Sequence, residues 1–108
     1  MTRPITYYID TPSIRVFQAF AGGSLEHLDP IEVWNIHFAL MHAALIANDK
    51  NSPSLDIEFA LKDLDIVPSE KAQKCLLALN GFPIAQINQL VAGMLQISAD
   101  NEGQKICH

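Results

Sequence analysis

Apolar residues dominate one stretch of the chain, from Asp29 to Asp49, which carries no charged residue between Glu32 and Asp49. Its first residues have the features of a helix N-terminus. Asp29 is a favourable N-cap, Pro30 fits the first helical position, and Glu32 is placed to complete a capping box. The pattern therefore predicts a helix over about residues 30–48.

This predicted helix is apolar on more than one side. When its residues are projected at about 100° each, they form two apolar arcs, separated by a strip that contains His37. One arc consists of Val33, Ile36 and Leu40, and the other of Ile31, Trp34, Phe38, Met41 and Leu45. A helix with two apolar arcs contacts neighbours on both sides, so we expect it to be the central buried helix of the fold.

Four further helices are predicted from caps, prolines and glycines in the rest of the chain. Their starts lie near Thr11, Ser52, Pro68 and Pro83. Residues 1–10 include a β-prone stretch that has no second strand to pair with, so we expect an extended arm packed on the helices. The predicted fold is a single all-α domain over residues 1–108: a compact five-helix bundle with a short extended N-terminal arm.

Composition narrows the classes of function. Charged residues make up only 18% of the chain, less than the roughly 25% of an average soluble domain, so a partner is one way to cover part of the surface. The formal net charge of −5 argues against binding to nucleic acid. The sequence has no signal-peptide pattern and no uninterrupted apolar run long enough for a membrane span, so we expect no integral membrane segment and a cytoplasmic location.

The last predicted helix lacks charge altogether, since no charged residue occurs from Gly81 to Ala99. Its outer face would include Gln86, Gln89 and Gln96. Interfaces are depleted in Lys and Glu, so this face is either an amide-rich surface without a role or a surface for self-association or a partner. We favour a non-enzymatic helical protein that acts through protein–protein contacts as a homo-oligomer.

Catalytic and cofactor motifs are missing from the sequence. It contains no GxSxG, GxGxxG or GxxxxGK pattern. His37 and His42 point about 140° apart on a helix and cannot share a zinc ion, for which a spacing of three or four is needed. We therefore predict neither an enzyme nor a cofactor. An alternative is a small ligand-binding protein or enzyme with a pocket near Trp34, His37 and Met41, although burial in the core is the more usual role of such residues.

Acidic residues near the end of the central helix suggest a different alternative. Asp49 closes that helix, and Asp56 and Glu58 follow at the start of the next one. Such a connector could bring together the carboxylates that a divalent cation such as calcium requires. Acids at this position also stabilise a helix through its dipole without any ligand.

The same stretch, residues 40–66, resembles the acidic helix–loop–helix of TerB-like tellurite-resistance domains. There a helix ends in Ala-Asp-Gly and an acidic residue opens the next helix, and Asp49 and Asp56 occupy the matching positions. Asp100, within residues 91–103, would be the counterpart in a second copy. The resemblance implies an all-helical stress-response module whose paired acidic loops bind a divalent cation.

Overall fold

Six α-helices and one 3-10 turn make up the part of the chain that is described, which comprises the backbone of residues 3–106 and the side chains of residues 3–101 in a computed structural model. The elements are α1 (Ile5–Tyr8), α2 (Pro12–Ala21), α3 (Pro30–Asp49), α4 (Ile57–Asp63), α5 (Glu70–Leu77), the 3-10 turn Ile84–Gln86 and α6 (Ile87–Ile106). Over these residues there is no β-strand, so the predicted all-α class is confirmed. None of the helices described has the length and apolar character needed to cross a membrane.

The N-terminus of α3 is built as the sequence predicts. The Asp29 backbone N–H donates a hydrogen bond to the Glu32 carboxylate at 2.9 Å, and Pro30 is the first helical residue. The other Glu32 oxygen accepts a hydrogen bond from the Ser69 hydroxyl, and Ser69 in turn caps α5 by accepting from the Ala72 N–H at 3.2 Å. Glu32 therefore joins the starts of α3 and α5.

Only one side of α3 is buried. The helix α3 packs against α4 and α5, and α2 packs against α5. The buried side carries Ile36, His37, Ala39, Leu40, Ala43 and Ala47. The prediction that this central helix is buried on both sides is therefore wrong for the second apolar arc, because α4 and α5 lie on the side of the alanines, where small side chains permit close approach.

The N-terminal segment is helical, so the prediction of an extended arm is also wrong. The single turn of α1 packs against α2 and α6, and Ile5 is fully buried. α1 meets α6 at Gly93, where an added Cβ would lie 2.8 Å from the Cβ of Tyr8. A side chain at this position would push the two helices apart, so Gly93 is what permits α1 to lie flat on α6.

The connector before α4 differs from the prediction as well. The helix starts four residues after the predicted position near Ser52, because Asp56 caps α4 by accepting a hydrogen bond from the Phe59 N–H at 3.1 Å. The residues before it are held in extended conformation by the segment that follows α5. The Leu55 N–H donates to the Phe82 carbonyl at 2.9 Å, and the Gly81 N–H donates to the Leu55 carbonyl at 2.8 Å. This short pairing delays the start of α4 until Ile57.

Candidate functional site

A line of large apolar side chains runs along the outer side of α3. The residues are Ile31, Trp34, Phe38, Met41 and Leu45, which are 69%, 62%, 55%, 52% and 63% exposed, respectively. We call them the α3 stripe. They are separated alternately by three and four positions, so they form one continuous row along the helix axis.

One edge of the α3 stripe is polar and fixed by α4. The Phe38 ring lies parallel to the His42 ring, with the ring centroids 6.5 Å apart. His42 Nε2 lies 2.9 Å from a carboxylate oxygen of Asp63 in α4. Because this contact orients the imidazole, it also supports the ring of Phe38 in its exposed position.

The opposite edge of the α3 stripe borders a cavity of about 270 Å³ between α3, the loop that precedes it and α6. Most of its wall is apolar, and it also contains Glu26, Ser98 and Asn101. The apolar lining includes Leu25, Leu28, Val33, Trp34 and Leu95. Trp34 thus belongs both to the stripe and to the cavity.

His37 is the buried polar residue of this cavity. Its side chain lines the cavity wall, the residue is only 9% exposed, and its Nε2 is buried without a hydrogen-bond partner among the described residues. The Trp34 ring meets the His37 ring edge-on, with centroids 5.8 Å apart. Burial lowers the pKa of His37 below its ordinary value, so the imidazole is neutral near pH 7.

The loop wall of the cavity holds a negative charge. Glu26 accepts hydrogen bonds from the backbone N–H and the hydroxyl of Ser24, and these contacts lower the pKa of its carboxyl group. Leu25, which is buried, adopts a positive φ of 60°, a conformation that costs energy in a residue with a Cβ. The Asn101 side-chain amide donates to the Ser24 carbonyl at 3.1 Å, which ties the loop to α6.

The predicted cation ligands have separate positions and separate partners. Asp49 is an exposed residue at the end of α3, Asp56 caps α4, and Asp100 accepts a hydrogen bond from the Gln96 amide at 2.9 Å. Within residues 3–101 no group of three or more His, Cys, Asp or Glu side chains is placed to hold a metal ion. These three aspartates are therefore not brought together as a metal-binding cluster.

Only two of the three glutamines predicted to form an interface on α6 are exposed. Gln89 and Gln96 are exposed, whereas Gln86 is half-buried and its side-chain oxygen is enclosed. Gln86 ends the 3-10 turn, and the α-helix begins only at Ile87. A role of this face in binding stays a prediction.

The predicted pocket near Trp34 and His37 is present, but Met41 does not line it. What sequence reasoning missed is the exposure of the α3 stripe, which it assigned to the core. The alternating spacing of three and four was the available indication, because a row with this spacing is also the pattern of a helix-pairing seam.

No family model, curated protein or solved structure matches this chain. The resemblance to TerB-like domains is thus untested and stays a prediction.

Proposed function

We propose that this protein is a non-enzymatic helical interaction module, located in the cytoplasm, that forms a homodimer by pairing the α3 stripes of two copies. The observation that carries the proposal is the exposure of five large apolar side chains in one row. Monomeric proteins rarely expose a contiguous apolar patch of more than a few hundred Å². Such a patch is a typical protein-interaction site.

The spacing of the stripe fits helix-to-helix packing in particular. Residues at alternating intervals of three and four occupy the a and d positions of a heptad, which face the partner in a two-helix coiled coil. Ile31, Phe38 and Leu45 take the a positions, and Trp34 and Met41 take the d positions. α3 has 20 residues and is thus long enough for a seam of about 30 Å.

The exposed area is appropriate for a dimer. For the two aromatic residues, Trp34 and Phe38, about 150–250 Å² per side chain and exposed fractions above one half leave on the order of 200 Å² per copy. Ile31, Met41 and Leu45, which are also more than half exposed, add to this area. The stripe therefore exceeds the few hundred Å² of apolar surface that is normal for a monomer once two copies are counted.

A second copy is the partner that the charge pattern favours. α3 carries no charged residue between Glu32 and Asp49, so two stripes can meet without desolvating a charge or opposing like charges. A two-fold interface also requires the same patch on both subunits. An uncharged apolar row meets this condition in either helix orientation.

Sedimentation equilibrium of the purified protein over a wide range of concentrations tests the proposal. We expect the mass of a dimer, and a mass that stays monomeric at the highest concentration would refute it. Disulfide cross-linking of Ile31→Cys, in a Cys107→Ser background, then gives the helix orientation. A parallel pair places position 31 next to its copy and cross-links readily, whereas an antiparallel pair keeps the two positions far apart.

A further inference from the structure

The wall of the cavity between α3 and α6 carries one formal charge among its described residues, since His37 is neutral near pH 7. This charge is the carboxylate of Glu26, which forms no ion pair within residues 3–101. Lys71 approaches the same loop, but its ammonium group donates to the His27 carbonyl at 2.9 Å, and the residue does not line the cavity. The cavity therefore favours a cation, and the formal net charge of −5 acts in the same direction.

The Glu26 carboxylate is held in place by its own loop. Glu26 Oε2 accepts hydrogen bonds from the backbone N–H of Ser24 at 3.2 Å and from the Ser24 hydroxyl group. The carboxylate also lies so close to Gly22 that an added Cβ there would overlap Oε1. Because a carboxylate has about four lone-pair sites, it keeps the capacity to accept further hydrogen bonds. The position of the charge is thus fixed before any ligand binds, which lowers the cost of binding.

The rest of the wall does not suit a bare metal ion. A hard cation such as calcium takes about six to eight oxygen ligands, and within the described residues no group of three or more His, Cys, Asp or Glu side chains is placed to hold a metal. Most of the wall is instead apolar and is formed by Leu25, Leu28, Pro30, Val33, Trp34 and Leu95. Water on such a wall is poorly held, so an apolar group gains affinity by displacing it.

The volume and the polar groups of the cavity define the cation further. The volume is about 270 Å³, and an apolar cavity of about 150 Å³ in another protein holds benzene, so a body of one or two rings fits. The carboxylate of Glu26 only accepts hydrogen bonds, and the hydroxyl group of Ser98, which also lines the cavity, can accept them. An ammonium group supplies three donors together with the positive charge. Trp34 contributes an aromatic ring, a group that attracts cations within about 6 Å of its face.

We infer that the cavity between α3 and α6 binds a small organic cation, which consists of an apolar body of one or two rings and one ammonium group. The apolar body lies against Val33 and Leu95, and the ammonium group lies on the side of Glu26. The site belongs to one subunit and does not rest on the proposed dimer, although Trp34 takes part in both.

The intrinsic fluorescence of the protein provides a direct test, because Trp34 is its only tryptophan and lines the cavity. The probes are adamantylamine, adamantanol and adamantanecarboxylate, which share one apolar body and are cationic, neutral and anionic, respectively. None of them absorbs where tryptophan is excited. We expect saturable binding of the amine, binding of the alcohol weaker by about tenfold, the scale of one charge-assisted hydrogen bond, and still weaker binding of the carboxylate. Salt at about 1 M, where the Debye length is about 3 Å, should narrow the difference between amine and alcohol.

Three substitutions assign the binding to this charge and this cavity. Glu26→Gln keeps the shape of the side chain and an oxygen that can accept from Ser24, so the amine should bind about as weakly as the alcohol, and the alcohol as in the wild type. Glu58→Gln is the matched control, because it removes the same charge from α4, outside the cavity, and it should leave both affinities unchanged. Ser98→Phe should fill the cavity and abolish binding of both probes. If Ser98→Phe loses the helical circular dichroism of the wild type, the smaller Ser98→Leu takes its place and should weaken both.

The inference is overturned if the amine gives no saturable change, if it binds no more tightly than the alcohol, or if Glu26→Gln binds it like the wild type. It is also overturned if Glu58→Gln weakens amine binding as much as Glu26→Gln does, since the net charge alone would then explain the preference. The titration is repeated in Phe38→Asp, because Phe38 lies in the α3 stripe but not in the cavity wall. A site within one subunit should bind the amine at least as tightly in this variant, and weaker binding there would overturn it.

Discussion

Replacing Phe38 by aspartate should separate the two copies of the protein. Phe38 is the middle residue of the α3 stripe and is 55% exposed, so pairing would cover on the order of 100 Å² of its surface, given about 150–250 Å² for a whole aromatic side chain. At about 25 cal/mol per Å², this burial contributes roughly 2.5 kcal/mol per copy and about 5 kcal/mol per dimer.

The expected effect of Phe38→Asp is therefore a rise in the dimer dissociation constant of at least about 10³-fold, at 1.4 kcal/mol per factor of ten. The buried carboxylates would add to this rise. The folded monomer should retain its stability, because Phe38 is 55% exposed, is not one of the buried core residues, and lies parallel to the ring of His42 on the outer side of α3. Sedimentation equilibrium measures the first effect, and a thermal melt by circular dichroism measures the second.

Leu77→Asp is the matched control. Leu77 lies on α5, outside the stripe, and is 45% exposed, so this change adds the same charge to a different surface. The mass should stay that of the wild type, and Tm should continue to rise with protein concentration, as mass action requires of a dimer. A Phe38→Asp protein that remains dimeric, or a Leu77→Asp protein that dissociates equally, would refute the assignment of the interface to α3.

Three further predictions concern the core and the cavity. Gly93→Ala should lower the free energy of unfolding, measured in urea, by about 1–3 kcal/mol, because the added Cβ would lie 2.8 Å from the Cβ of Tyr8. Gly23→Ala is the control, since its added Cβ would have its nearest contact at 3.5 Å, and it should lower this free energy far less. Equal losses in the two variants would contradict this reasoning. Burial lowers the pKa of His37, so the unfolded chain binds a proton at a higher pH than the folded protein does. From pH 7 to 5 the free energy of unfolding of the wild type should therefore fall, relative to that of His37→Leu, by up to about 1.4 kcal/mol per pH unit. Identical pH profiles of the two proteins in urea denaturation would count against a neutral imidazole in the fold. Burial raises the pKa of Cys75 to about 11, so iodoacetamide at pH 8 should label it only after denaturation, and its modification in the native protein, located by peptide mass mapping, would show that the thiol is accessible.

Local sequence patterns predicted the helix ends well. The box of Asp29 and Glu32 lies at the start of α3, the Thr11 hydroxyl accepts from the Ile14 N–H at 3.2 Å to cap α2, and Gly22 ends α2 with a φ of 88°. Each of these features depends on atoms within a few residues of one another. The information is thus complete in a short window of sequence.

The burial of α3 depended instead on distant segments. Both apolar arcs are equally suitable for a core, and only the placement of α4 and α5 leaves Trp34 and Phe38 exposed while Ala39 and Ala43 are buried. The helix projection does not include that placement. An apolar row with heptad spacing is thus ambiguous between a core and an interface when only one chain is considered.

The cavity beside His37 could be predicted only as a location on α3. Its other walls come from the loop around Leu25 and from Leu95 and Ser98 of α6, which are remote in sequence. Likewise, the contact of Gly93 with Tyr8 follows from the docking of α1, whose single turn is too short to give a helical period.

The docking of α1 on α6 has a consequence for the order of folding. Ile5 and Gly93 are in close approach, yet most of the chain lies between them, and closing such a long loop is entropically slow. We therefore expect α2 to α5 to assemble first. The contact between α1 and α6 should form last and open most readily. Because α6 also forms one wall of the cavity, opening of the contact between α1 and α6 would release that wall and widen a cavity that is already partly open to solvent.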